Sequence, residues 1–242
     1  MIYPNFNEER KLKRKGYSMI AGLDESGRGP LAGPVIAAAV VMRLFSLSAF
    51  RPLKIKDSKK LNSRHRKKIF EIIKNHPEIE WAVGRVSEKV IDKINILEAT
   101  KLAMERAVKN LENKIRKKTE SFLGSSDNIL KQQAKSRKIK NNHLIDFLII
   151  DGNFGINLNI PQKLIIKADE KVFSCVLASI VAKVVRDEIM LKYHKKYPQY
   201  GFDRHKGYPT GFHQKMLRKY GPLVIHRESF NPLKKLLKYK KS

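Results

Sequence analysis

Cysteine is nearly absent. Cys175 is the only one in 242 residues, which excludes a disulfide within the chain and a thiolate zinc cluster built from one copy, and fits a reducing compartment. Long apolar runs are missing too. The longest, residues 31–42, contains Pro34 and is too short to span a bilayer, and the basic N-terminal stretch has no apolar segment of the kind that begins an exported protein. A soluble cytoplasmic protein is expected. Acidic residues are scarce: Asp and Glu total 23 against 51 Lys and Arg, for a formal net charge of +28. That excess is more than solubility requires and suits a polyanionic partner. The cations are spread along the chain, and no segment pairs a basic face with a continuous apolar one, so nucleic acid fits better than a membrane. Charge alone, which a lysine-rich genome also produces, does not decide the matter.

A chain of this length holds one good core with at most a small appendage. Residues 1–16 are polar and basic and read as a flexible arm. Residues 17–197 read as the main domain and 198–242 as a C-terminal helical segment. SMIAGLD (residues 18–24) is a short apolar run ending in a glycine-rich turn, PVIAAAVVM (34–42) reads as a largely buried strand, and a third strand is expected at 80–86. Their short links predict an antiparallel opening to the sheet. Ser63 is placed to cap a basic helix running to about Lys74. A longer helix is expected near Ile96, with Leu97, Leu102, Val108, Leu111 and Ile115 roughly on one face. Residues 116–143, rich in Lys, Ser, Asn and Gln, read as a flexible basic insertion whose deletion leaves folding largely intact. DFLIID (146–151) and KLIIK (163–167) look like later strands, and helical pattern resumes from about Phe173 to Lys195. The fold class that follows is α/β, a mixed central sheet flanked by helices.

Carboxylates gather at the ends of these strands. Asp24 and Glu25 are adjacent, where successive side chains point to opposite faces unless the chain turns, and Gly27 and Gly29 are expected to supply that turn. Asp151 ends another apolar strand, and Asp169 follows LIIK. Four acids from three strand ends suit hard cations such as Mg²⁺ or Mn²⁺, which take oxygen ligands and serve phosphodiester hydrolysis in pairs. For any single one of them, turn formation or helix capping is the simpler explanation; the surrounding sequence decides.

IAGLDESGRGPLAGPVIAAAVV (residues 20–41) closely resembles the opening of the type 2 ribonucleases H, the ribonuclease HII family. The resemblance continues in the family's order through DSKKLN (57–62), IIDG (149–152), KADEKVFSCVLASIVAKVVRD (167–187) and HKGYPTGFHQKMLRKYGPLVIHRESF (205–230). It implies a ribonuclease H-like fold in which Asp24, Glu25, Asp151 and Asp169 are the catalytic carboxylates, holding two Mn²⁺ or Mg²⁺ ions. It further implies that Gly27, Arg28 and Gly29 form the loop that senses a ribose 2′-hydroxyl, and that Tyr208 stacks on the adjoining deoxyribose. Lys59 and Lys206 become candidate phosphate contacts. The activity implied is hydrolysis of RNA in RNA/DNA hybrids and incision 5′ to single ribonucleotides in duplex DNA, by a monomer, as the first step of ribonucleotide removal. Docking on a replication clamp stays open. Ribonuclease HIII, the nearest alternative, carries a DESGTGDYFGP type of block and an extra N-terminal domain, and neither is expected here. Ser179 and Lys183 read as packing or supporting residues, and His213 and His226 as hydrogen-bonding residues of the C-terminal segment. The block reads KAD where many bacterial members have KGD, which bears on packing around Asp169.

Overall fold

The structure, a computed structural model, describes residues 4–42, 61–122 and 143–234. In chain order its elements are α1 (Asn7–Arg14), β1 (Ile20–Ser26), β2 (Val35–Met42), α2 (Ser63–Asn75), β3 (Ile79–Val86), α3 (Glu88–Phe122), β4 (Phe147–Asp151), β5 (Gln162–Ile165), α4 (Ala168–Lys171), α5 (Phe173–Lys196), α6 (Phe202–His205) and α7 (Gly211–Tyr220). The strands form one sheet in the order β3-β2-β1-β4-β5. β1, β2 and β3 pair antiparallel as expected, although only β1 and β2 are joined by a short link and α2 lies between β2 and β3; β4 and β5 run parallel to β1, so the sheet is mixed.

Side-chain alternation sorts the sheet into two buried faces. Ala21, Leu23, Ala37, Ala39, Val41, Leu148 and Ile150 pack against Ala103, Met104, Ala107 and Leu111 of α3. On the other face Ile36, Ala38 and Val40 meet Val176, Leu177, Ile180 and Val181 of α5, with α2 alongside through Ile69 and Ile73. β2 is therefore apolar throughout because both its faces are covered. Each fully buried Leu, Ile or Val contributes roughly 1.5–3 kcal/mol.

The longer helix expected near Ile96 begins there for a local reason. Asn95 has φ 65° and breaks α3, and its Oδ1 accepts hydrogen bonds from Leu97 N and Glu98 N, capping the part that follows. Val108, Leu111 and Ile115 are buried as expected, but Leu97 lies at the surface. α2 is capped by Asn62, whose Oδ1 accepts from His65 N at 2.8 Å, and Ser63 is its first helical residue rather than its cap.

Two expectations are corrected. Residues 7–14 are a docked helix, not part of a flexible arm: Phe6 and Leu12 are buried, and Glu9 Oε1 accepts from Ser174 N at 3.0 Å and Ser174 Oγ at 2.8 Å. The basic stretch 116–143 is not a detachable insertion throughout. Residues 116–122 complete α3, Lys118 pairs with the buried Glu80, and Glu112 receives Leu144 N and Ile145 N and contacts His143. Cutting at 116 would remove the last turns of α3 and leave the buried Glu80 with Lys114 as its one remaining ion-pair partner among the described residues.

Candidate active site

Strand periodicity decides which acids meet. Asp24 lies in β1 on the α5 face, and Asp151, ending β4, shares that face with Phe147 and Ile149. β1 approaches α5 closely at Gly22, where a Cβ would stand 2.5 Å from the Ser174 backbone. The small residue at 22 is thus what lets the strand lie against the helix start. After β5, Lys167 adopts left-handed backbone and turns the chain into α4, whose first turn carries Asp169 at zero exposure. Asp151 Oδ1 accepts from Ala168 N at 2.7 Å, which holds that turn to the end of β4. Ala168 is fully buried among Leu12, Ile20 and Val172, so its methyl is accommodated by packing.

The result is a cluster in which one carboxylate oxygen each from Asp24, Asp151 and Asp169 lies within 4.8 Å of the others. Glu25 is outside that group. β1 continues regularly through Ser26, with Glu25 opposite Ala37 and Ser26 opposite Ile36, so no turn brings Glu25 round. It lies on the α3 side of the strand, where its Oε1 stands 3.4 Å from Arg28 Nη1. The turn at Gly27 comes after it.

Two buried acids and the half-buried Asp151 repel one another. Burial, followed by the charges of Glu25 and Asp151, pushes the Asp24 carboxyl well above the usual carboxylate range, with the Ser179 hydroxyl opposing the shift. Asp24 Oδ1 accepts from Glu25 N at 2.7 Å, while Oδ2 is buried with no hydrogen-bond partner. An oxygen in that state suits a cation. Three carboxylate oxygens gathered this closely, one of the acids holding an unpartnered oxygen, are what a hard cation takes as ligands. The donor set fits a hard divalent ion.

On the loop that follows β1, Gly29 faces Tyr208 across a gap that one carbon would fill: a Cβ on Gly29 would lie 3.5 Å from Tyr208 Cε1. Tyr208 is 43% exposed. Gly27 has φ +102°, and a Cβ there would stand 2.1 Å from Arg186 Nε, so the position takes glycine on both backbone and space grounds.

The ribonuclease HII family model matches residues 21–232. The chain belongs to the ribonuclease HII family. Membership makes it a metal-dependent hydrolase of the ribonuclease H class. The ribonuclease HII of Chlamydia muridarum is 42% identical over 234 residues, 96% of this chain and 90% of that protein. Among solved structures, the ribonuclease H2 from Pyrococcus horikoshii OT3 superposes with a TM-score of 0.63 at 24% identity, covering 93% of this chain and 100% of the other. Bst-RNase HIII in complex with Mn²⁺ gives 0.65 at 18% identity over 92% and 70%. At such identities these two speak for the fold, which is the ribonuclease H-like sheet with flanking helices.

Of the other residues singled out in this ribonuclease HII chain, Lys59 lies outside the described residues. Lys206 adopts left-handed backbone and its ammonium donates to the Asp203 carbonyl. Arg28 reaches back to Glu25 and over the Phe154 ring, 5.3 Å from its centroid. His213 and His226 hold the C-terminal segment, as their spacing suggests. His213 Nδ1 donates to Tyr208 O at 2.9 Å, and His226 Nδ1 accepts from Leu223 N at 2.8 Å. The 3.0 Å contact between their Nε2 atoms then has His226 as donor, both rings being neutral. Lys183 pairs with Asp187 at 2.7 Å. Three residues went unread from sequence: Glu9, Arg186 and Arg227. The signal for Arg186 was a cation among the apolar residues of α5.

Proposed function

We propose that this chain hydrolyses the RNA strand of RNA/DNA hybrids and cuts duplex DNA on the 5′ side of single embedded ribonucleotides, leaving 3′-hydroxyl and 5′-phosphate ends. The observation that carries the reading is the convergence of Asp24, Asp151 and Asp169 from three separated segments to within 4.8 Å.

Asp24, Asp151 and Asp169 would hold the divalent ions, and Glu25, on the other side of β1 yet close enough for its charge to act on Asp24, would join the set by turning its carboxylate toward them. Bound there, a pair of Mg²⁺ or Mn²⁺ ions supplies water activation and neutralises charge on the leaving oxygen. The chain's own residues do the rest. The rigid ends of β1 and β4 hold two of the carboxylates against their mutual repulsion, and the Ser179 hydroxyl stabilises the ionised form of Asp24. In the Gly27–Gly29 loop, assigned to the ribose 2′-hydroxyl, Gly27 makes the buried turn and the exposed backbone at Arg28 and Gly29 is open to close approach by a sugar. Tyr208, standing across from Gly29, would stack on the next deoxyribose. Surface Lys and Arg hold phosphates without reading sequence. Incision at a lone ribonucleotide would open the way to its removal from DNA.

The test is incubation with a duplex bearing one ribonucleotide, in Mg²⁺ or Mn²⁺, with mapping of the cut. One incision immediately 5′ to the ribonucleotide, lost on chelation, is expected; binding without any metal-dependent cutting would refute the reading. Asp24→Asn should abolish turnover while leaving duplex binding largely intact.

A further inference from the structure

Two arginines outside the residues assigned above direct their guanidinium hydrogen bonds to backbone carbonyls of the loops that face the substrate. Arg227 donates from Nη2 to Gly27 O at 2.6 Å and Gly33 O at 2.7 Å, from Nη1 to Arg28 O at 3.0 Å, and from Nε to Gly33 O at 3.0 Å. Arg186, on α5, donates from Nε to Pro34 O, from Nη2 to Ala32 O and from Nη1 to Lys206 O, each at 3.1 Å. Both side chains have zero exposure. Backbone bonds stitch the same segments: Leu31 N to Gly207 O at 2.8 Å, Arg227 N to Leu31 O at 2.8 Å, and Gly33 N to Ile225 O at 2.9 Å.

Burying two cations side by side is unfavourable. Burial lowers the affinity of both for their protons, and with the neighbouring Arg186 charge it brings Arg227 down to about 9. An apolar pair would avoid that cost. What an apolar pair lacks is direction: the planar guanidinium presents five donors in a fixed fork and can hold several carbonyls at set angles at once, which a lysine ammonium does not reproduce. Arg227 grips the loop at Gly27, Arg28 and Gly33. Arg186 bridges the same loop, at Ala32 and Pro34, to Lys206, two residues before Tyr208.

We infer that Arg186 and Arg227 are positioning residues that set the spacing between the Gly27–Gly29 loop and Tyr208, and through it the preference for a ribonucleotide followed by DNA over continuous RNA. The inference rests on the reading of that loop and of Tyr208 as the sugar-contacting groups. A displacement of about 1 Å at groups that orient a substrate can cost on the order of 100-fold in rate, and the gap between Gly29 and Tyr208 is narrow enough to feel it.

The test compares wild type, Arg186→Lys, Arg227→Lys and Tyr208→Ala, each confirmed folded by its melting curve. Cleavage is measured on a duplex with one ribonucleotide and on an all-RNA/DNA hybrid, and hydrogen exchange on peptides covering 27–34 and 205–210. The lysine variants should lose on the order of 10- to 100-fold in kcat/KM on the single ribonucleotide and several times less on the hybrid. Exchange should quicken over 27–34 in both variants and over 205–210 in Arg186→Lys. Equal losses on both substrates, or loops exchanging as in wild type, would overturn the inference. If Tyr208→Ala leaves the ratio of the two rates unchanged, the sugar-contact reading fails and the preference clause falls with it. If Tyr208→Ala shifts the ratio and the lysine variants do not, only the positioning inference falls. Should Arg227→Lys not fold, Asp92→Ala serves instead. Asp92 accepts from Glu228 N and Ser229 N at 3.0 Å each and loosens only the segment carrying Arg227; the same shift in ratio is expected, and its absence counts against the inference.

Discussion

Asp24 carries a conflict between stability and chemistry. Its carboxyl titrates above the ordinary range because burial and neighbouring acids disfavour the charge. A raised folded value means that the native state binds the proton more tightly than the unfolded chain. The contribution to stability is therefore full below the unfolded value of 3.8 and is lost as pH rises through the folded value. In chelator at pH 7, Asp24→Asn should melt higher than wild type, by roughly 2–4 °C for each kcal/mol relieved; calorimetry of the two proteins checks this, and the gap should shrink toward pH 4. Gly27→Ala should act in the opposite direction. Positive φ alone costs about 1–3 kcal/mol for a non-glycine residue, and the methyl must also displace Arg186, so a lower melting temperature and slower incision are expected together. Asp24, Asp151 and Asp169 were legible as strand-end acids in recognisable motifs. The side of β1 taken by Glu25 was not, because whether a glycine-rich stretch bends before or after a given residue depends on pairing with β2.

At the scale of elements, α1 is the clearest departure from expectation. Its sequence is basic and short, and nothing local distinguishes it from a solvated arm; what fixes it is Glu9, received by the first turn of α5 more than 160 residues away. Burial raises the Glu9 carboxyl, so its protonated form is the one favoured in the fold. Its stabilising effect is complete below 4.5 and declines as pH rises past the folded value. Glu9→Gln keeps an acceptor for Ser174 and should narrow the fall in melting temperature between pH 4.5 and 7. The histidines behave oppositely. Burial holds His213 at about 4 and His226 at about 3, both neutral, so their contribution is intact above 6.5 and is lost as pH falls toward those values. Hydrogen exchange over 208–230 should quicken between pH 6 and 4 ahead of the sheet, after correction for the intrinsic rate. The sheet itself was readable because β1, β2 and β4 are apolar runs with covered faces, whereas the docking of α1 and the end of α3 depend on distant carboxylates that periodicity does not encode.

For the whole molecule, the charge of +28 sets how substrate arrives. Phosphate contacts release counterions, so kcat/KM should fall steeply and linearly in log-log form as salt rises, whereas kcat at saturating duplex should change far less. Equal salt sensitivity of both would contradict it.

The grip of Arg227 on Gly27 joins positions separated by 200 residues. During synthesis the loop at Gly27 leaves the ribosome 200 residues ahead of the arginine that anchors it. A polypeptide stalled before Arg227 would therefore carry every strand and all three clustered acids while the carbonyls of Gly27, Arg28 and Gly33 still lacked their clasp.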